Sequence, residues 1–158
     1  MRLLASLARA CAILGGVLLT GITLMTCASL LGRNTVGTTL VGDFELTGVA
    51  TGAAIALFLP WCQVQRGNII VDFFSLRASD GTRRRLDRMG AGLLALVMLV
   101  MAWRSLLGGI NAYSTGSGTM MLGFPEWIVY ACIAPSLLLT GLIGLGQAVG
   151  TADPDRPA

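Results

Sequence analysis

The chain has 158 residues, 54% hydrophobic and 12% charged, with a mean hydropathy of +0.77. A soluble domain carries about 25% charged residues, so half that share means that the solvent is mostly lipid, and the length leaves no room for a second, soluble domain. The net charge is +3, every basic residue is arginine and histidine is absent, which removes the usual haem and zinc ligand and the usual general base.

A bilayer core of about 30 Å needs about 20 helical residues, and four segments qualify: residues 10–31, 46–64, 89–110 and 127–149. The first follows Arg2 and Arg9 and resembles a secretory signal. Its apolar run exceeds the roughly 7–15 residues of a signal core, and the small residues around Cys27 and Ala28 make a poor cleavage site, so a retained anchor is expected. The second begins after the acidic pair Asp43 and Glu45 and carries Pro60 one turn before its end, where the carbonyl of Ala56 loses its donor and a bend is expected.

Between the second and third segments lies more than a plain loop. Ile69, Ile70, Val71, Phe73, Phe74 and Leu76 are interrupted by Asp72 and Ser75 in a stretch too short to span. An amphipathic interfacial helix along the membrane surface fits this pattern. Ser79–Thr82 then reads as a turn capping a helix that starts near Arg83, with Arg83, Arg84 and Arg85 among anionic headgroups. The third segment contains the one intramembrane charge, Arg104. Its guanidinium either snorkels to the outer headgroups or pairs with Asp43 or Glu45. The fourth is uncharged and leads into a short polar tail, 150–158.

Nine arginines lie before the first segment, between the second and third, or in the tail; only Arg33 lies on the other side. By the positive-inside rule both termini and the middle connection are cytoplasmic, and the 32–45 and 111–126 connections are periplasmic. Small residues four apart, at Ala12/Gly16, Ala28/Gly32, Gly48/Gly52, Ala91/Ala95 and Gly146/Gly150, predict close helix packing. Cys11, Cys27, Cys62 and Cys132 form no C-x-x-C pair and read as buried apolar fillers. Trp61, Trp103 and Trp127, with Tyr113 and Tyr130, read as an interfacial aromatic belt near helix ends. All eight carboxylates fall at helix ends or in connections, with no acid/base pair, no Walker-type loop and no H-E-x-x-H. No catalytic, cofactor or metal site is expected. A carrier acting alone needs an ionisable group near the midplane or a pair of broken helices, so this chain reads as an aid to another chain's transport.

The order of these features resembles a known family. Segment 2 reads G-D-F-E-L, then F-L-P-W-C-Q-V-Q-R-G-N-I-I-V-D from Phe58 to Asp72, with an arginine-rich connector after it; Leu122-Gly123-Phe124-Pro125-Glu126-Trp127 with Tyr130 and Pro135 opens segment 4. Over residues 10–150 this is similar to the small, DctQ-type permease subunit of tripartite ATP-independent periplasmic (TRAP) transporters. The resemblance implies a periplasmic solute-binding protein, a large permease that carries the transport and sodium sites and works by an elevator motion, and ion-gradient-driven uptake of an organic acid. The small subunit then braces the static scaffold and widens the docking platform. Because the chain ends in a short polar tail, the large subunit is expected as a separate polypeptide. Asp43, Glu45, Gln63, Arg66, Asp72, Arg104, Pro125 and Trp127 are the candidate structural or partner-interface residues. A holin-like or other accessory membrane protein is the alternative.

Overall fold

The structure, a computed structural model, describes residues 2–35, 37–38, 40–65 and 80–149. Among the described residues there are four helices, α1 (Arg2–Thr35), α2 (Asp43–Val64), α3 (Asp80–Thr115) and α4 (Trp127–Ala148). Each is long and apolar enough to cross a membrane. The expected interfacial segment at 68–77 and the tail at 150–158 lie outside the described residues.

Helices α2 and α4 have 22 residues each, about 33 Å of rise and close to the hydrocarbon thickness. Helices α1 and α3, with 34 and 36 residues, rise about 51 and 54 Å, so both tilt or project beyond the bilayer. An apolar run measures only what must sit in hydrocarbon, whereas arginine, asparagine and threonine can continue a helix outside it. Helix α3 therefore starts at Asp80 instead of Arg83 and passes Ile110 to end at Thr115. Its last turn is tightened by Ser114 and Thr115 hydroxyls donating to the Asn111 carbonyl at 2.9 and 2.8 Å. Trp103, expected near a helix end, consequently lies in mid-helix. Helix α2 continues unbroken through Pro60, which is fully buried.

The helices stand in an open row, α3–α4–α2–α1. Helix α4 packs on both α3 and α2, α1 packs on α2 and grazes α4, and among the described residues α3 touches no helix other than α4. Lipid is as apolar as leucine, so helix association depends on close van der Waals contact. At the α1–α2 seam Gly15 lies against the Ala54 carbonyl and the side chains of Leu57 and Phe58. At the α3–α4 seam Gly141 meets Leu99 and the Ala95 carbonyl, and Gly144 meets Ala95 and the Ala91 carbonyl. Of the small pairs predicted from sequence, Ala91/Ala95 forms a seam. Gly16, Gly48 and Gly52 face open space, because neighbouring residues on the same helices point at the partner instead. The buried residues are accordingly small: Ala53, Ala54, Ala56, Ala95, Ala102, Ala112 and Ala134 form most of the core. Within α4 the buried Ser136 and Thr140 donate to the carbonyls four residues earlier, Cys132 and Ser136, at 2.9 and 2.8 Å, which satisfies their hydroxyls without a partner helix.

Gly141→Leu inserts four carbons into the α3–α4 seam and is expected to cost about 1–3 kcal/mol. Gly52→Leu points into open space and should stay within about 0.5 kcal/mol of the parent. Thermal unfolding of the purified chain in detergent, followed by labelling of its native cysteines, measures both; equal losses would contradict this seam.

Candidate functional site

The polar side chains that hold the bundle gather at its two ends. At the end predicted to face the periplasm, the outer end, where residues 40–42 and the 116–126 connection lie, the chain leaving α3 forms a compact hairpin. Gly118 bridges Pro125, and the Thr119 amide donates to the Phe124 carbonyl at 3.0 Å. The Gly123 amide donates to the Thr119 carbonyl at 2.9 Å. The reversal uses Gly116 and Gly123 at φ of 64° and 62°, a region costly for side chains with a Cβ. Ser117 donates to a Glu126 carboxylate oxygen at 3.2 Å, closing the base of the hairpin.

The hairpin tip is captured by α2. The Met121 and Leu122 amides donate to the two oxygens of Glu45 at 2.9 and 3.2 Å. A carboxylate taking two backbone N–H groups makes charge-assisted bonds, stronger than neutral ones. Glu45 occupies the first turn of α2, where negative charge also suits the helix dipole. Beneath it Gly42, at φ 79°, packs so closely on Leu122 that a Cβ there would overlap the leucine side chain. Asp43, two residues before Glu45 and on the opposite side of α2, accepts a 2.5 Å hydrogen bond from the buried Ser29 hydroxyl and ties α1 to α2. All three outer carboxylates, Asp43, Glu45 and Glu126, therefore have an internal structural partner. The captured tip still presents apolar atoms: Met120 is fully exposed and Met121 largely so, beside Leu40, Val41 and Phe44.

At the inner end Gln63, 3% exposed, donates its side-chain amide to the Gln147 side-chain oxygen at 2.7 Å. Gln147 donates back to the Gln63 carbonyl at 2.8 Å. This reciprocal pair joins α2 to α4. Arg66 and Asp72, expected beside Gln63 in the same patch, lie outside the described residues.

Arg104 does not meet Asp43 or Glu45. Among the described residues α3 touches only α4, so the start of α2 is beyond reach, and both carboxylates have the partners already described. The guanidinium is exposed on the free side of α3. Trp127 packs edge-on against Tyr113, centroids 5.8 Å apart at 86°, and with Tyr130 it borders an apolar cavity of about 330 Å³ between α3 and α4. Cys11 and Cys132 are half-buried, but Cys27 and Cys62 are exposed, contrary to the filler expectation, because α1 packs along one side only and a single row leaves α2 uncovered between its two neighbours. The described residues hold no metal-binding cluster of histidine, cysteine and carboxylate.

A row of four spanning helices, with polar contacts at its ends and apolar free faces, defines a multi-pass α-helical membrane protein built around packing surfaces. The family model described as "Tripartite ATP-independent periplasmic transporters, DctQ component" matches residues 22–153, most of the chain. The chain belongs to this family, and so is a small component of a TRAP transporter, not a holin-like protein. Comparison with curated proteins finds no match, and neither does comparison with solved structures.

The Glu45 capture predicts that Glu45→Ala frees the Met121 and Leu122 amides, which should exchange hydrogen about tenfold faster or more while α4 amides keep their protection. Gln63→Ala strands Gln147 in a buried seam and is expected to destabilise the detergent-purified chain by about 1–3 kcal/mol. Replacing Gln63 and Gln147 together by leucine should recover much of that loss.

Proposed function

We propose that this chain is the separate small subunit of a TRAP transporter in a bacterial inner membrane. In this reading it forms a single membrane domain with both termini and the arginine-rich connector in the cytoplasm. It braces the large permease subunit and extends the periplasmic platform on which a solute-binding protein docks, for ion-gradient-driven uptake of an organic acid. The observation that carries this reading, beyond the family, is the open row. Two edge helices keep one long apolar face each, and the outer connections are fastened to the helix ends. A row of this kind offers contact area to another membrane chain and a rigid upper surface to a soluble one.

The candidate residues divide by place. Asp43, Glu45, Pro125 and Trp127 shape the outer platform. Asp43 spends one carboxylate oxygen on Ser29, leaving acceptor capacity for a basic group on the binding protein, a complementarity that speeds and orients docking. Gln63 fixes the inner end, close to where the large subunit's cytoplasmic connections would pass.

Co-expression with the large permease tests the reading. A tag on this chain should recover the permease at equal stoichiometry. Vesicles holding both, supplied with binding protein and an ion gradient, should take up organic acid, and omitting this chain should abolish uptake. Uptake at the full rate by permease and binding protein alone would overturn the proposal, as would accumulation by this chain alone.

A further inference from the structure

Arg104 is a permanent cation on a helix face that no other part of the described protein covers. Leu93, Val97, Val100, Arg104, Leu107 and Asn111 succeed one another at spacings of four, three, four, three and four residues, and all are exposed. This stripe lies opposite the α4-facing side of α3, where Ala91, Ala95, Ala102 and Ala112 sit. The guanidinium stands in its middle, with no ion-pair partner among the described residues.

Depth makes that position costly. Tyr113 and Trp127 meet edge to face, and the preference of such rings for the headgroup level puts the outer interface at their height. Nine residues of helix separate Arg104 from Tyr113, about 14 Å of rise and close to half of the ~30 Å hydrocarbon layer. Snorkelling serves arginines near helix ends, and α3 continues to Thr115, well beyond Arg104. A charge near the midplane is retained where it faces protein or water and meets an opposite charge. The apolar neighbours on the stripe suit a helix-packing seam, and one polar residue within such a seam fixes register and partner.

We propose that the free face of α3 is the seat for a transmembrane helix of the large permease subunit, and that this helix presents a carboxylate to Arg104. The inference rests on the transporter-subunit reading and goes beyond it by naming the face and the chemistry of the contact. Charge complementarity selects the occupant. The free face of α1 is apolar through the same depth and has no cation to be neutralised.

The test uses this chain co-expressed with its large permease. Single cysteines at Val100 and Leu107 should cross-link to one permease helix, while one at Val17 on α1 should not. Recovery of the permease through a tag on this chain should fall about tenfold or more for Arg104→Glu. Arg104→Lys should retain most of it. Exchanging the cross-linked helix's carboxylate for arginine should restore binding of the Arg104→Glu chain. Recovery unchanged by Arg104→Glu overturns the pairing while leaving the subunit reading intact. So does loss of bound phospholipid phosphorus alone, which would assign the guanidinium to a lipid headgroup. Cross-links confined to α1 overturn the choice of face. If the unaltered chain recovers no permease at all, the subunit reading fails with it.

Discussion

Inside a bilayer the apolar side chains of this protein gain little by leaving lipid for one another, and that constraint governs the rest of the structure. What remains is close backbone approach and a few hydrogen bonds in the right places. Gly15 against α2, and Gly141 and Gly144 against α3, supply the first. Ser29–Asp43, Glu45 with the hairpin amides, and Gln63–Gln147 supply the second. The buried core is mainly alanine because larger side chains would hold the helices apart. Leucines and valines, which build the core of a soluble protein, here point outward into lipid.

The sequence made the four spans legible because apolar length alone reports them, and the family followed from the order of the motifs around Pro60–Asp72 and Leu122–Trp127. Where helices end was less legible. Polar residues such as Asn111 and Thr115 extend α3 without any change in apolar pattern. The seams were only partly legible for a related reason. A search at four-residue spacing finds Ala91 and Ala95, but the α4 side uses Gly141 and Gly144, three apart, and α1 uses Gly15 instead of its neighbour Gly16. One residue is a rotation of about 100° on a helix, so spacing without a known partner face cannot choose between them.

The candidate site shows the same division. Glu45 was marked by its charge at a helix start, but its two amide donors lie more than seventy residues away along the chain, and nothing local announces them. Gln63 was marked by its motif, not by Gln147, which completes the pair. For Arg104 the charge was plain and the sequence offered Asp43 and Glu45 as partners. The row order of the helices removes both, since α4 stands between α3 and α2. Helix order across the membrane is a tertiary fact that hydropathy does not encode.

The placement of the hydrogen bonds also bears on how the bundle carries load. The hairpin 117–126 is covalently part of α3 and α4, and Glu45 fastens its tip to α2, so three helices are tied together at one end by a short loop. Ser29–Asp43 adds α1 to the same end. At the opposite end the tie found is between α2 and α4. The outer ends of all four helices are thereby fixed relative to one another, while α1 and α3 have no such side-chain tie at the inner end within the described residues. The platform role proposed for this chain needs an upper surface that is held and flanks that are free. Moving a solute would instead need helices that part, and the outer ties oppose that motion.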